Sequence, residues 1–449
     1  MMPRVLFVSL TNDIGAERIA ATLVSHGAVC ATLSPRGFYS ARTAFIERHF
    51  PLPRQYGMWL GTLLVRPELE KAVRIWAPDF IVPLDDVAAW LLRGLATNDK
   101  VSQRVKHLLV TSLGSPGGYQ ACCSRLALMR AAASLGVSIP DFHEARTAAG
   151  AFDAADRWGY PVVVKSEFTC GGRGVAIVSH AGELCHQVER AMHRGIGLGR
   201  RLRALTRHMI WRRAGLPGIY GVPSLLQAYI SGQPAMRTVS TWNGRVLEGA
   251  SFVADRVHPE PTGSSSLVRY VEHAGMEETV RLLVEKLGCS GFVSFDFLLD
   301  HGNNAYLIEM NARSIGTSHL GGLFGHDLCG ALVAQLRGKP VSSPALTVHP
   351  SRMVALFPKE CERDPSDLHR LQSAAILHDV PLHDPPLIVA HLQRLEKIHP
   401  VHIEAIRQAL GVSPARQRYG WSLPLQRIAL TSGFLPIRHP VQSHSKAKR

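Results

Sequence analysis

The sequence lacks the cysteine pairs and the long hydrophobic runs of zinc-binding, disulfide-stabilised or membrane-spanning proteins. Its eight cysteines are Cys30, Cys122, Cys123, Cys170, Cys185, Cys289, Cys329 and Cys361. Because they include no CxxC pair, we expect them to be reduced thiols. No apolar run approaches the roughly 20 residues that a membrane span needs. The first apolar block, Val5–Leu10, is too short for a secretory signal. We therefore expect a cytoplasmic protein that does not bind a membrane.

Two common phosphate-binding motifs are also absent. The loop after the first predicted strand, SLTNDIGAE at residues 9–17, has no GxGxxG dinucleotide fingerprint. The glycine-rich segment TCGGRG at 169–174 does not fit the pattern GxxxxGK[ST]. The sequence thus excludes a Rossmann fingerprint in the first loop and a Walker-type loop in the second segment.

Acidic residues are outnumbered, with 35 Asp and Glu against 50 Lys and Arg and a net charge of +15. Such an excess favours phosphates or nucleic acid as partners. Eight of the arginines lie between Arg190 and Arg213, and the chain ends in a basic tail. A solvated loop and a disordered end explain both features more simply. Trp211 alone does not supply the interleaved aromatics of base stacking, so nucleic acid is not an expected partner.

The first hundred residues alternate between apolar strands and amphipathic helices. This pattern predicts an α/β N-terminal domain with a parallel sheet. One predicted strand, Phe80–Leu84, ends in Asp85 and Asp86, at the edge where open α/β sheets bind ligands. Capping of the following helix explains these two aspartates more simply, and substrate contact is the alternative.

A hairpin is predicted in the stretch 291–317. Two apolar runs, Phe292–Leu299 and Ala305–Asn311, flank a His-Gly-Asn-Asn cluster that is typical of a turn. If the turn is centred on residues 302 and 303, Asp296 lies directly opposite Glu309. Because side chains alternate along a strand, Asn311 shares the face of Glu309.

Asp296, Glu309 and Asn311 together predict a site for a hard cation. Two carboxylates about 5 Å apart at Cβ repel each other unless they share a cation. Magnesium suits these all-oxygen ligands because it also takes waters and substrate phosphates, and Mn²⁺ is an alternative. A solvated sheet face that happens to carry three polar residues remains the competing interpretation.

A second pattern joins a lysine to a glycine-rich turn. Lys165 ends a buried strand, and Gly171, Gly172 and Gly174 follow with Arg173 among them. Glycines let backbone N–H groups approach a polyphosphate, and the lysine adds a mobile positive charge. A plain tight turn is the alternative.

The run LLQAYISG at 225–232 is apolar and ends in Ser-Gly. A purine docked against it would meet backbone groups near Tyr229 and Ile230, with the two side chains packing on its faces. An ordinary buried strand is equally compatible with this run.

In their order and spacing these elements resemble the ATP-grasp superfamily. The shared features are a capped helix beginning near Arg125, a strand ending in lysine, the glycine-rich hairpin, LQAYISG, and FDF followed by IEMNAR. The resemblance covers about 120–340. It implies an N-terminal α/β domain over 1–110 and an α+β ATP-grasp domain of two subdomains over 111–345, with a lid at about 150–228. A small C-terminal appendage over 346–449, with a disordered tail, completes the expected organisation.

The resemblance also implies roles for single residues. ATP would be held by Arg125, Lys165 and the loop with Gly171, Gly172 and Gly174, and its adenine by Gln227, Tyr229 and Ile230. Magnesium would be held by Asp296, Glu309 and Asn311, and Arg313 would face the transferred phosphate. The chain departs from the family near the ribose, where Gln227 or Ala228 and Pro234 stand at places that usually carry glutamate.

The function implied by the resemblance is a ligase that activates a carboxylate as an acyl phosphate for attack by an amine or, less often, a thiol. Its partners would be small-molecule acids and amines, and a homo-oligomer is left open. An ATP-binding regulatory or scaffold protein without turnover is the alternative from another class.

Overall fold

The computed structural model describes residues 1–53, 57–169, 174–192, 198–214, 221–340, 347–365, 375–410 and 412. None of the helices in these ranges is both long and apolar enough to cross a membrane. The seven described cysteines are all free thiols. Cys170, Gly171, Gly172, Arg173 and the predicted disordered tail beyond residue 412 lie outside the described residues.

The N-terminal unit is a parallel sheet with helices on both faces. Its elements are β1 (Arg4–Val8), α1 (Ile19–Ser25), β2 (Val29–Pro35), β3 (Arg48–Leu52), α2 (Gly57–Trp76), β4 (Phe80–Pro83), α3 (Asp86–Ala96) and α4 (Gln103–Leu113). The strand order is β3-β2-β1-β4, and every pair is parallel. The central strand β1 is apolar because both of its faces are covered. The carboxyl ends of β1 and β4 therefore open at one edge of the sheet.

Two short helices and a second sheet follow. The helices are α5 (Tyr119–Cys123) and α6 (Arg125–Ser134), and Ser124 caps α6 as predicted by accepting a hydrogen bond from Ala127 N. The sheet has the order β5-β8-β6-β7 and is antiparallel. The elements of this lid unit are β5 (Phe142–Ala145), α7 (Ala148–Trp158), β6 (Val162–Lys165), β7 (Val175–Val178), α8 (Ala181–Ala191), α9 (Leu198–Ala214) and β8 (Ser224–Ala228).

The third unit is built on a large sheet whose described strands have the order β13-β12-β9-β10-β11-β14-β15. Its elements are β9 (Gln233–Trp242), β10 (Arg245–His258), β11 (Ser264–Val271), α10 (Ala274–Leu287), β12 (Gly291–Leu299), β13 (Ala305–Asn311) and α11 (Leu328–Leu336). One face packs on α10 and α6 through Val293, Phe295 and Phe297. The other face meets α11 and the helix α1 of the N-terminal unit through Met236 and Phe252.

The C-terminal segment extends the large sheet and returns to the N-terminal unit. It contains β14 (Met353–Ala355), α12 (Lys359–Arg363), β15 (Ile376–His378), α13 (Pro385–Ile398) and α14 (Ile403–Ala409). Asp379, just after β15, receives Arg18 at 2.8 Å and His319 at 3.0 Å. The buried pair His391 and Glu17 lies 3.2 Å apart. This segment is therefore docked on the N-terminal unit through paired charges and does not form an independent body.

The predicted fold class is confirmed, because a parallel α/β unit precedes an α+β unit of two sheets. The domain limits remain predictions. Strand β5 lies outside the predicted lid limits yet belongs to the lid sheet, and β14 and β15 of the predicted appendage belong to the large sheet.

The small core of the C-terminal segment gives a first prediction. Leu392 on α13 is buried in that core, whereas Ile398 at the end of the same helix is 41% exposed. We expect Leu392→Ala to lower the free energy of unfolding by about 2–5 kcal/mol, because it leaves a cavity. The matched control Ile398→Ala should change it by less than about 0.5 kcal/mol. Urea unfolding measures both, and equal effects would show that α13 does not pack as described.

Candidate active site

A β-bulge in the hairpin β12–β13 sets the register at its acidic residues. Near the turn the pairs are Leu299 with Ala305 and Phe297 with Leu307, one residue away from the predicted register. The register then shifts past Ile308, and Asp296 pairs with Glu309. The predicted pairing of the two acids is therefore confirmed. It results from the bulge at Ile308, however, and not from a turn centred on residues 302 and 303. Without the bulge, Ile308 would lie opposite Asp296 and Glu309 would face the other side.

Asn311 completes the acidic group on this face. It pairs with Ser294, and its Nδ2 donates a hydrogen bond of 2.9 Å to Asp296 Oδ2. Burial, followed by the charge of Glu309, raises the pKa of Asp296 to about 7. The three predicted ligand residues thus come together, and the two acids repel each other across the strand pair.

Arg125 joins the acidic group to the lid. It is the first residue of α6, and its Nη2 donates to Glu309 Oε1 at 2.6 Å and to the carbonyl of Thr169 at 2.8 Å. Its Nη1 donates to the carbonyl of Ser166 at 2.6 Å. Burial alone would lower the pKa of this guanidinium, but the charge of Glu309 raises it above its ordinary value. Arg125 is therefore a permanent cation at the base of the glycine-rich loop.

Lys165 lies beside Arg125 at the end of β6. Its Nζ donates a hydrogen bond of 3.1 Å to the carbonyl of Ile308, the bulged residue. Burial lowers the pKa of Lys165 to about 8, although the charge of Glu309 opposes that shift. A polyphosphate next to this amine would favour its charged form.

Arg313 follows the hairpin and is oriented by the N-terminal unit. Its Nε and Nη2 donate to the two carboxylate oxygens of Asp86, at 2.7 and 2.9 Å. Asp13, in the loop after β1, lies 3.9 Å from the same guanidinium. Burial alone would lower the pKa of Arg313, but these two carboxylates raise it well above its ordinary value. A guanidinium that pairs through two nitrogens with one carboxylate is held in a fixed orientation.

Asp85 and Asp86 have different partners. Asp85 caps α3 by accepting from Ala88 N at 2.9 Å, and it also accepts from Leu10 N and Thr11 N. The capping interpretation therefore holds for Asp85, whereas Asp86 positions Arg313. No local pattern identifies Asp86, because its partner lies 227 positions further along the chain.

Sequence reasoning also missed Glu167. Its carboxylate accepts from the backbone N–H groups of Arg125 and Leu126, at 3.2 and 3.0 Å. A carboxylate at a helix N-terminus satisfies donors that have no partner inside the helix. Glu167 therefore ties the start of α6 to the lid, and only its place two residues after Lys165 marks it in the sequence.

The residues on either side of the glycine-rich loop, Ser166 and Gly174, lie close together. Ser166 N donates to the carbonyl of Gly174 at 2.8 Å. Gly174 has a φ of +98°, and a Cβ there would lie 2.7 Å from Thr169 Oγ1. Glycine is therefore required at 174 by both conformation and space. The part of the prediction that concerns Gly171 and Gly172 falls outside the described residues.

The predicted adenine contacts lie around the end of β8. Tyr229 is 43% exposed and Ile230 is partly exposed, and both stand in the link between the lid and β9. Gln227 is buried, and its Nε2 contacts Met129 Sδ at 3.2 Å. Tyr229 and Ile230 are thus available to a ligand, whereas the amide of Gln227 is used inside the protein.

The donor chemistry of the acidic group fits a magnesium ion. Asp296 and Glu309 are adjacent acids, and Asn311 keeps its Oδ1 while its Nδ2 contacts Asp296. Within the described ranges no three His, Cys, Asp or Glu side chains form a metal-binding cluster, so the set depends on the amide oxygen of Asn311. An ion with few protein ligands that keeps waters and phosphate oxygens suits such a set.

A family model described as "Carbamoyl-phosphate synthase L chain, ATP binding domain" matches residues 125–205. The matched segment begins at Arg125 and contains Lys165 and the glycine-rich loop. Solved structures extend the similarity to most of the chain.

One is the biotin carboxylase domain of 2-oxoglutarate carboxylase from Hydrogenobacter thermophilus, in complex with MgADP, ADP and bicarbonate. It is 17% identical with a TM-score of 0.56, over 79% of this chain and 73% of its own. Biotin carboxylase from Campylobacter jejuni is 16% identical with a TM-score of 0.54, over 78% and 74%. N5-carboxyaminoimidazole synthase from Aspergillus clavatus, in complex with ADP and 5-aminoimidazole ribonucleotide, is 13% identical with a TM-score of 0.53, over 77% and 79%. At these identities the similarity concerns the fold.

The raised pKa of Asp296 gives a prediction for the metal-free protein. Its pKa in the folded state, about 7, exceeds the value of about 4 in an unfolded chain. The stability contributed by this proton is fully present below about pH 4 and is lost as the pH rises towards 7. We expect Asp296→Asn to flatten this decline, as measured by urea unfolding in EDTA at about pH 5 and pH 8.

Added Mg²⁺ should restore stability to the wild type near pH 8 and have less effect on Asp296→Asn, because a cation offsets the paired charges. Asp99, which is fully exposed, supplies the control Asp99→Asn. If the wild type and Asp296→Asn show the same pH dependence of stability, the pKa of Asp296 is not raised as described.

Proposed function

We propose, from the ATP-grasp fold of this chain, that it is an ATP- and Mg²⁺-dependent ligase. It would join a small carboxylic acid to an amine and release ADP and phosphate. The observation that carries the proposal is the pairing of Asp296 with Glu309, with the Asn311 amide 2.9 Å from Asp296. Adjacent acids on a sheet face repel each other, and a bound cation would offset that repulsion.

The nucleotide would lie between the lid sheet and the large sheet. Lys165 and Arg125 stand at the lid side of the acidic group and supply two cations for the phosphates. The loop with Gly171, Gly172 and Gly174 would cover the phosphates with its backbone N–H groups. The purine would then lie against Tyr229 and Ile230, whose exposure leaves their surfaces available.

Asp296, Glu309 and Asn311 would hold the cation, with Mn²⁺ as an alternative to Mg²⁺. A cation held by these residues would supply positive charge that offsets the charge of the nucleotide phosphates. In the structure Arg125 pairs with Glu309, and the Asn311 amide donates a hydrogen bond to Asp296. Ligand binding therefore has to exchange these internal contacts for contacts with phosphate and cation.

The chemical step would be transfer of the γ-phosphoryl group to a carboxylate oxygen. That oxygen attacks phosphorus, ADP leaves, and an acyl phosphate remains. Arg313, fixed by Asp86, would face the transferred group and stabilise its charge. An amine, or less often a thiol, then attacks the acyl carbon and expels phosphate to leave an amide or a thioester. A closed lid would protect the acyl phosphate from water.

The second candidate is an ATP-binding regulatory or scaffold protein that makes no product. The use of Gln227 inside the lid and the presence of Pro234 favour it, because neither provides a carboxylate for the ribose. Release of ADP that requires both an acid and an amine would exclude it. A screen of amino acids and small acids for Mg²⁺-dependent phosphate release distinguishes the two candidates.

The ligase proposal predicts the effect of replacing Glu309. We expect Glu309→Gln to lower kcat by about 100-fold or more, because it removes one charge from the cation site without changing shape. Glu278→Gln, on the exposed surface of α10, is the matched control and should retain full activity. Phosphate release measures both variants, and full turnover by Glu309→Gln would contradict the proposed cation site.

The contact between Asp86 and Arg313 gives a separate prediction. Asp86→Asn should lower kcat by about tenfold or more, because one of the two acceptors that orient Arg313 becomes a donor. The KM for ATP should change little, since the contact concerns the transferred group. Asp79, at the other end of β4, supplies the control Asp79→Asn. A raised KM with unchanged kcat would show that Arg313 acts in nucleotide binding instead.

A further inference from the structure

Helix α9 carries a line of large apolar side chains that face solvent. Leu198, Leu202, Leu205 and Met209 are 75%, 56%, 39% and 61% exposed. They are spaced by four, three and four residues, which places them within about 60° of one another around the helix. Soluble proteins rarely leave such a continuous apolar line uncovered unless it binds something. The proposed ligase chemistry makes no use of this line.

The opposite side of α9 is anchored in the protein. Trp211 lies about 150° from the apolar line. It is fully buried in the core of the N-terminal unit, 5.8 Å from Trp90 between ring centroids. The helix therefore cannot turn its leucines inward without losing its anchor. This burial also removes Trp211 from any role in base stacking, which further weakens the nucleic-acid alternative.

The apolar line is bordered by positive charge. Arg212 and Arg213 are exposed and lie on its two sides. Position 201, also an arginine, lies about 70° from the middle of the line, whereas the arginines at 200, 203 and 207 fall on the side of Trp211, and the helix contains no acidic residue. A partner for this face therefore has to bring apolar groups at its centre and negative charge at its edges.

The width of the line decides among three possible occupants. A helix that lies in a membrane presents a broad apolar face, whereas spacing by three and four residues gives the narrow seam of a helix pair. A second copy of α9 would set arginines against arginines, which repel. An amphipathic helix with acidic flanks meets both requirements.

We propose that the outward face of α9 binds an acidic amphipathic helix of a partner protein, with Leu198, Leu202, Leu205 and Met209 as the seam. The helix belongs to the chain between lid strands β7 and β8, and it is anchored on the N-terminal unit. A partner bound there contacts the connection between these two units. The proposal does not depend on the ligase chemistry.

The test uses a synthetic helical peptide of about three heptads with Leu at the seam positions and Glu at the flanking positions. The full-length protein should bind it, as measured by fluorescence anisotropy, with an affinity that falls as salt is added. Leu202→Gln/Met209→Gln should weaken binding by about tenfold or more. Glutamine favours the helix, so circular dichroism should stay unchanged.

Two controls distinguish binding at the seam from non-specific binding. Ile398→Gln removes an exposed apolar side chain elsewhere and should leave peptide binding unchanged. A peptide with Lys in place of Glu should bind at least about tenfold more weakly, because it meets the arginines with like charge. Equal binding of the acidic peptide by the wild type and the double variant would overturn the proposal.

Two further results would also overturn the proposal. One is seam-dependent binding to vesicles that contain phosphatidylserine, without binding to the peptide, which would assign the face to a membrane. The other is seam-dependent doubling of mass in light scattering, which would assign it to a second copy of this chain.

Discussion

The candidate site depends on one extra residue in one strand. Ile308 shifts the register of β13 against β12, so that Glu309 lies opposite Asp296. The shift also brings the carbonyl of Ile308 to Lys165 Nζ, 3.1 Å away. A single bulge thus sets the face of one acid and gives the lid lysine an acceptor. Bulges often occur beside active sites because they redirect individual side chains in this way.

The two ion pairs at the site each join residues from different units. Arg125 at the start of α6 meets Glu309 of the hairpin, and Arg313 after the hairpin meets Asp86 of the N-terminal unit. Charges this deeply placed are stable only with such partners. The same pairs hold the three units in one arrangement. The groups proposed for phosphate chemistry therefore also hold the fold together.

The sequence predicted the parts of this site that are encoded locally. The hairpin, the strand that ends in Lys165 and the cap of α6 all follow from short patterns, and the ATP-grasp resemblance put them in order. The bulge escaped prediction because no residue type marks it. The contact of Arg313 with Asp86 escaped as well, because it joins positions 227 residues apart. An aspartate such as Asp86 at the start of a helix is explained locally by capping, so no sequence pattern indicated that its partner is Arg313.

The grip of Arg125 on two units has a kinetic consequence. One guanidinium holds Glu309 and the carbonyls of Ser166 and Thr169, so the lid loop is fastened to the acidic group before any ligand arrives. A nucleotide bound as proposed would contact Arg125 only after the pair with Glu309 had broken. Its observed association rate would then level off at high nucleotide concentration, at the rate of spontaneous opening. The strength of the ion pair between Arg125 and Glu309 would thereby limit the rate of nucleotide binding.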